Sequence, residues 1–224
     1  PAEDAYGPWH ENLVRALPSW LAEPGVSEVV IVDWTSDRPV ARSLRDAGIV
    51  DPRIVIARIE DEQAWVLSYA FNLGFRLARH ATILKLDADI VLSDGFLARN
   101  PPLPGQFIAG NWRLAPKGQE FVNGVFQVAR NDLLGIRGFN EFLTTYGWDD
   151  DELYDRLTAQ GLGRSDLAQG TVHHIDHDDR ARIGRTDGAQ RTAWEELRAL
   201  PMFRTRTNRF LATIMPPWDS WRMM

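Results

Sequence analysis

The chain has 224 residues, of which 44% are apolar, and a formal net charge of −6. This length and apolar content fit one large domain or two small ones with a sizeable core. The acidic balance and the lack of a long basic run disfavour nucleic acid as a partner. The chain has no cysteine, which excludes disulfides and thiolate chemistry, so a metal site would need oxygen and imidazole ligands. We find neither an apolar stretch of about 20 residues nor a signal-peptide core, so we expect no membrane span and a cytoplasmic location.

The first half of the chain alternates between predicted helices and strands. Apolar residues at helical spacing predict helices, and short apolar runs predict buried strands. The predicted order is helix Asn12–Leu21 with an interruption at Pro18, strand Val29–Asp33, helix Arg38–Ala47, strand Arg53–Ala57, helix Ala64–Ala78 and strand Thr82–Leu86. This alternation of helices and strands predicts an α/β fold with a mostly parallel central sheet flanked by helices.

The second half is less regular. We predict strands at Gln106–Ala109 and Gly124–Ala129, a short helix at Asn131–Leu134, and a helix that starts at the acidic turn near Asp149. No repeat or linker separates the two halves. We therefore expect one domain, 1–224, with an accessory C-terminal region.

Three aspartates follow predicted strands. Asp33 ends the first strand, and Asp87 and Asp89 follow the third, two residues apart, so that both side chains can face one small volume. In parallel sheets, ligands bind beyond the carboxyl ends of the strands, and carboxylates suit Mg²⁺ or Mn²⁺. Aspartates also end strands for purely local reasons, so the spacing alone is a weak signal. Lysine occurs only at Lys85 and Lys117, and we infer no function from this.

Four consecutive acids run from Asp149 to Glu152. A capping box, with Asp149 as the N-cap and Glu152 three residues later, would explain two of them. It does not explain the other two. Crowded carboxylates raise one another's pKa, as a general base requires, so the excess favours a function.

Three of the five histidines lie between His173 and His177. A strand would place His173 and His174 on opposite faces, and a tight turn would bring His174 and His177 to one ion. Among the nine tryptophans, Trp112 and Trp148 stand out because they lie in predicted loops, where binding residues concentrate.

In chain order, these segments resemble the GT-A glycosyltransferases of family 2, and the C-terminal half is similar to the β-1,4-galactosyltransferase and chondroitin-polymerase type. The resemblance spans about Asn12 to Asp179. Its first part rests on the strand that ends at Asp33, on Leu67–Gly74, which is similar to the donor-side helix, and on Leu86–Asp89, which is similar to the DxD motif. Three later segments resemble the family's GG, GF(D/N)E and GW(E/G)ED series in the correct order: Asn123–Phe126, Gly138–Glu141 and Tyr146–Asp151.

The resemblance implies a metal-dependent inverting transferase that moves a hexose or N-acetylhexosamine from a nucleotide sugar to a hydroxyl acceptor. It divides the domain into a donor half (12–110), an acceptor and catalytic half (111–190) and an accessory segment (191–224). Asp150 matches the catalytic base. The implied acceptor-binding residues are Asp149, Trp148 and Trp112; the donor-binding residues are Asp33, Asn72, Asp87, Asp89 and Gly124; the ligands for Mn²⁺ or Mg²⁺ are Asp89, His174 and His177.

The chain departs from the family pattern in two places. An apolar first strand should precede the first helix, but Pro1–His10 contains none, so that strand is missing or remodelled. Trp34–Asp37 is an unusual form of the family's Asp-Gly-Ser segment, so UDP is inferred from the relatives and GDP is the alternative. Two other functions stay open: a metal-dependent phosphohydrolase or nucleotidyltransferase, and a non-catalytic carbohydrate-binding protein. The sequence does not predict the acceptor or the oligomeric state.

Overall fold

The structure is a computed structural model that describes residues 9–62, 65–145, 147–176 and 201–214. Within these ranges no helix is long and apolar enough to cross a membrane.

The first half of the chain folds as the predicted alternation of helices and strands. Its elements are α1 (Trp9–Ala22), β1 (Val29–Trp34), α2 (Val40–Asp46), β2 (Ile54–Ile59), α3 (Leu67–Leu77) and β3 (Thr82–Lys85). The predicted interruption of α1 is wrong, because the helix continues through Pro18. The other predictions agree with the structure to within three residues at each end.

The second half contains shorter elements. They are β4 (Ile90–Leu92), α4 (Phe96–Arg99), β5 (Gln106–Ala109), a 3₁₀ helix (Glu120–Gly124), β6 (Phe126–Ala129), α5 (Arg130–Gly135), α6 (Asp149–Ala159), β7 (Gly163–Asp166), β8 (Val172–His174) and α7 (Pro201–Ile214). Sequence patterns did not predict β7, since its residues are polar and form no apolar alternation.

The strands form three small sheets, and their directions are more mixed than the alternating rhythm predicted. β1 and β2 are parallel. β3, β6, β5 and β7 form a four-stranded sheet in that order, in which only β5 and β7 run parallel. β4 and β8 form an antiparallel pair that places Ile90 opposite His174. This pair brings the residue before β4 close to the end of β8.

A cavity of about 1050 Å³ separates β1 from β3. It is lined along its length by Val29–Val32 and Thr82–Leu86, and by apolar side chains of α1 and α3. The described residues supply no strand between these two edges and none ahead of α1, where the family resemblance led us to expect one; residues 1–8 lie outside the described ranges. The other end of the cavity is polar and contains Asp87, Asp89, Asp149 and Asp150.

Two apolar clusters support this polar end. One joins β5 and β6 to α6 and includes Phe126, Phe139 and Leu153, all of which are buried. The other packs α1 against β1 and α2 and includes Leu17 and Ile31. Because both clusters are closely packed, the strand ends that carry the acids have fixed positions.

Candidate active site

A buried ammonium group lies at the polar end of the cavity. Lys85 is the last residue of β3, and its side chain is 1% exposed. Its Nζ donates to both carboxylate oxygens of Asp87 at 3.0 Å and lies 4.5 Å from the centroid of the Phe71 ring. Burial alone would lower the pKa of Lys85, but Asp87 and Asp150 outweigh that effect and raise the pKa above its ordinary value. The lysine is therefore charged.

Gly124 lies where Lys85, Asp87 and Asp150 meet. A Cβ atom on this glycine would be 2.9 Å from Lys85 Nζ and 3.1 Å from one carboxylate oxygen of each aspartate. A side chain at this position would displace the three charged groups. The absence of a side chain at 124 allows them to lie around one point.

The turn before α6 presents Asp149 and Asp150 to the same region. Gly147 and Trp148 both have positive φ angles, 103° and 72°. Trp148, not Asp149, occupies the N-cap position, and no side chain caps the helix. The capping box that would have explained two of the four acids does not form: Asp149 accepts a hydrogen bond from the Gly147 N–H at 3.0 Å, and Glu152 pairs with Arg156 at 2.7 Å.

Asp150 also has a raised pKa. The residue is partly exposed, but its Oδ1 atom is completely buried and has no hydrogen-bond partner among the described residues. Burial raises the pKa of Asp150 to about 8; the charges of Asp149 and Asp87 add to this rise, and that of Lys85 opposes it. Burial also raises the pKa of Asp149. A carboxyl group with a pKa near neutrality can accept and release a proton at physiological pH.

Asp89 and His174 form a second, adjacent pair. The antiparallel pairing of β4 with β8 sets His174 Nε2 3.4 Å from Asp89 Oδ2, and both side chains are almost fully buried. His173 is exposed, so the predicted division of these two histidines between opposite faces is confirmed. A carboxylate oxygen suits Mn²⁺, and a neutral imidazole is a common metal ligand in proteins.

The third predicted metal ligand, His177, lies outside the described residues. Within the part of the chain that the structure describes, no group of three histidine or acidic side chains forms a metal site. The metal set therefore stays a prediction, of which the structure brings Asp89 and His174 together.

Two residues that sequence analysis missed hold His174 in place. Gln119 accepts a hydrogen bond from the His174 N–H at 2.7 Å and donates to the His174 carbonyl at 3.2 Å. The ring of Phe121 lies 5.0 Å from the imidazole, measured between centroids. Both residues belong to the segment that leads to Gly124. This segment therefore connects the pair of Asp89 and His174 to the charged group of Lys85, Asp87 and Asp150, which we call the Lys85 cluster.

Two predicted donor-binding residues do not line the cavity. Asp33 is buried, and it pairs with Arg58 at 2.7 Å and accepts the Val40 N–H at 3.0 Å. Asn72 is also buried; its amide group exchanges hydrogen bonds of 2.8 and 2.9 Å with the backbone of Phe139. These contacts give both residues a structural task, and their donor contacts stay predictions.

The two singled-out tryptophans both line the cavity. Trp112 is 45% exposed, with the Arg113 guanidinium 4.6 Å from its ring centroid. Trp148 is half-buried, and Arg209 of α7 lies 5.0 Å from its ring. Aromatic faces beside an acid cluster are suited to stack on a sugar ring.

Comparison with known families places most of this geometry in one matched region. Residues 106–178 match the family model described as the N-terminal domain of galactosyltransferase. The mouse protein chondroitin sulfate synthase 3 is 31% identical over 83 residues, which is 35% of this chain and 9% of that protein. The chain thus spans less than a tenth of the length of this curated relative.

Solved structures show the fold. A substituted Drosophila β-1,4-galactosyltransferase 7, in complex with manganese, UDP-Gal and xylobiose, aligns with a TM-score of 0.53 at 20% identity, covering 84% of this chain and 73% of that one. A mannosyltransferase from Pyrobaculum calidifontis, in complex with GDP-Man and Mn²⁺, aligns with a TM-score of 0.61 at 14% identity, covering 93% and 73%. The chain has the GT-A glycosyltransferase fold.

The predicted resemblance to GT-A glycosyltransferases is therefore confirmed. The region matched by the family model begins at β5 and includes Gly124, the turn before α6 and His174. Lys85, Asp87 and Asp89 come from the preceding part of the same GT-A fold. The candidate active site thus joins both parts of the chain.

We predict that Gly124→Ala disrupts the charge cluster while the fold persists. The added methyl group would collide with Lys85 Nζ and with two carboxylate oxygens, so these groups must separate. Gly135→Ala, at the exposed end of α5, meets only the flexible Gln160 side chain and is the matched control. Circular dichroism should show both variants folded, and transfer activity should fall at least about tenfold only in Gly124→Ala. Equal activity in the two variants would contradict the assigned geometry.

We predict that Asp150→Asn stabilises the protein in a pH-dependent way. Between pH 3.8 and about 8 the unfolded chain ionises this carboxyl group, whereas the folded chain keeps it protonated. The free energy of unfolding of the wild type therefore falls as pH rises through this window. That of Asp150→Asn does not change for this reason, because asparagine stays neutral. The difference in thermal midpoint, variant minus wild type, should increase from pH 4 to pH 8 and then level off.

The exposed Asp155 on the same helix provides the control for this measurement. Asp155→Asn should show no such increase. A pH-independent difference between Asp150→Asn and wild type would contradict the raised pKa of Asp150.

Proposed function

We propose that this chain is a metal-dependent inverting glycosyltransferase. It transfers a hexose or an N-acetylhexosamine from a nucleotide sugar, with UDP the favoured carrier, to a hydroxyl group of a carbohydrate or other acceptor. The observation that carries the proposal is the carboxyl group of Asp150, one oxygen of which is buried, and which lines the same cavity as Lys85, Asp87 and Asp89. His174 pairs with Asp89 at 3.4 Å.

Asp150 is the general base in this proposal. Its pKa of about 8 matches the task of removing a proton from a sugar hydroxyl near neutral pH. The acceptor oxygen forms a bond to the anomeric carbon, its proton moves to Asp150, and the bond from that carbon to the diphosphate breaks. The electron pair of the broken bond leaves with the nucleotide diphosphate. Because the attack comes from the face opposite the leaving group, the configuration inverts.

Asp89 and His174 are the proposed ligands on the donor side, together with His177. The described pair is buried and offers one oxygen and one nitrogen donor. A divalent cation, when bound, would neutralise charge on the leaving diphosphate. Asp87 lines the same cavity as Asp89, and Lys85 holds both of its oxygens; we assign it to the donor side as well.

Trp112, Trp148 and Asp149 form the proposed acceptor side. Both indole rings reach the cavity, and Asp149 directly precedes the base. Among structures of this fold, the Drosophila enzyme is in complex with UDP-Gal and xylobiose and the Pyrobaculum enzyme with GDP-Man. UDP is favoured because the region similar to the galactosyltransferase family contains Asp150 and His174.

We predict that Asp150→Asn abolishes transfer and leaves donor binding intact. Asparagine keeps the shape of the side chain but cannot take the proton, so turnover should fall by about 10² or more. Release of nucleotide diphosphate measures turnover, and calorimetry with the nucleotide sugar measures donor affinity. Asp155→Asn serves again as the control and should retain full activity.

The same assay separates the proposal from the other functions left open by the sequence. Phosphate or pyrophosphate release that survives Asp150→Asn would indicate a phosphohydrolase or nucleotidyltransferase. Tight sugar binding without nucleotide or metal would indicate a carbohydrate-binding protein. Full transfer by Asp150→Asn would refute the assigned base.

We predict that Asp89→Asn and His174→Ala specifically weaken the binding of the divalent metal. Each variant should require at least about tenfold more Mn²⁺ for half-maximal activity, since loss of one ligand weakens the site. His173→Ala is the matched control, because His173 is the exposed neighbour of His174 in the same strand. A manganese titration of all three variants makes the comparison. If His174→Ala and His173→Ala gave the same curve, the proposed ligand set would be wrong.

A further inference from the structure

The C-terminal helix α7 lies against the turn that leads into α6. Asn208 of α7 is 2% exposed and faces this turn. Its Nδ2 group donates to the carbonyl oxygens of Thr145 and Gly147 at 2.8 and 2.6 Å, and its Oδ1 accepts from the Thr145 hydroxyl at 3.1 Å. One buried side chain therefore makes three hydrogen bonds to Thr145 and Gly147.

The same helix approaches the turn at two other points. A Cβ atom on Gly147 would lie 2.4 Å from Thr205 Oγ1, so only glycine permits this contact. Arg209 places its guanidinium group 5.0 Å from the Trp148 ring centroid, a cation–π contact. Contacts from one helical face, Thr205, Asn208 and Arg209, thus reach both residues of the turn.

The turn needs this support because its backbone is unusual. Trp148 has a φ of 72°, a left-handed conformation that costs a large side chain free energy and persists only where surrounding contacts impose it. The preceding Gly147 has a φ of 103°. Directly after them come Asp149, which accepts the Gly147 N–H, and Asp150. The conformation of the turn therefore sets the direction in which both acids leave the backbone.

We infer that Asn208 is a positioning residue for the catalytic turn: by bonding the carbonyls of Thr145 and Gly147 it holds Asp150 at the cavity. This assigns a task to part of the accessory segment 191–224. The inference rests on the proposed function, since Asp150 matters for turnover only if it is the base. Asn208 itself touches no reacting atom.

The test compares Asn208→Ala with Arg206→Ala, an exposed position on the same helix. Displacement of the base by about 1 Å costs up to about 10²-fold in rate, so kcat of Asn208→Ala should fall by about 10- to 100-fold. The affinity for the nucleotide sugar should stay unchanged, because the donor ligands Asp89 and His174 lie on other elements. Arg206→Ala should match the wild type in both measurements.

A double variant separates positioning from general stabilisation. In an Asp150→Asn background the base is already lost, so adding Asn208→Ala should cost little further activity if Asn208 acts through Asp150. A full multiplicative loss in the double variant would overturn the inference, as would unchanged kcat in Asn208→Ala.

Arg209 offers a second variant in case Asn208→Ala does not fold. Arg209 is exposed, so Arg209→Ala should fold and should lower kcat by a smaller factor, about two- to fivefold. Arg209→Lys keeps a cation over the Trp148 ring and should recover part of the loss. If Asn208→Ala is unfolded, wild-type kcat in Arg209→Ala would overturn the inference.

Failure of the proposed function can be distinguished from failure of the inference. A wild-type chain that transfers no sugar from any nucleotide donor would overturn both. An active wild type with unaffected variants would overturn only the role of α7.

Discussion

The buried ammonium of Lys85 holds the candidate active site together. Like charges repel strongly in a dry environment, so Asp87, Asp149 and Asp150 could not gather at one end of a cavity without a nearby cation. Lys85 binds both oxygens of Asp87 and opposes the rise of the Asp150 pKa. The glycine at 124 leaves room for these groups, because a Cβ atom there would lie only 2.9 Å from Lys85 Nζ and 3.1 Å from a carboxylate oxygen of Asp87 and of Asp150.

The contacts with Lys85 and the extent of burial give Asp87 and Asp150 different properties. Asp87 is partly exposed, and both of its carboxylate oxygens are paired with the lysine. Asp150 has a buried oxygen and a raised pKa, so it can accept and release a proton near neutral pH. The proposed mechanism needs this difference, since it assigns one acid to the donor and another to the acceptor.

The sequence predicted the parts of the fold that depend on local periodicity. β1, β3 and α3 were found almost to the residue, because their apolar spacing reflects burial on defined faces. The start of α6 was predicted, but its capping was not: Trp148 has a left-handed conformation and contacts Arg209 of α7, and no local rule indicates either feature. β7 was missed since its polar residues pair at the sheet edge.

The sequence predicted part of the candidate site, as it predicted part of the fold. Ordered motifs pointed to Asp150, Asp89 and His174; the structure places Asp150 and Asp89 along one cavity and pairs His174 with Asp89. Asp33 and Asn72 matched the same motifs but are occupied by structural hydrogen bonds, which spacing along the chain does not reveal. Lys85 was noted only for the scarcity of lysine. A charged residue inside the apolar run from Thr82 to Leu86 was a signal in its own right, because a buried lysine needs a buried acid.

The pH dependence of acceptor turnover tests the central claim most directly. With saturating donor and divalent cation, kcat/KM for the acceptor should rise with pH and level off above an apparent pKa near 8, since only ionised Asp150 can take the proton. Replacement of Lys85 by methionine should move this limb to higher pH, because the ammonium lowers the pKa of Asp150. A flat profile from pH 6 to pH 9, or a limb near pH 4 that Lys85→Met leaves unmoved, would contradict the account.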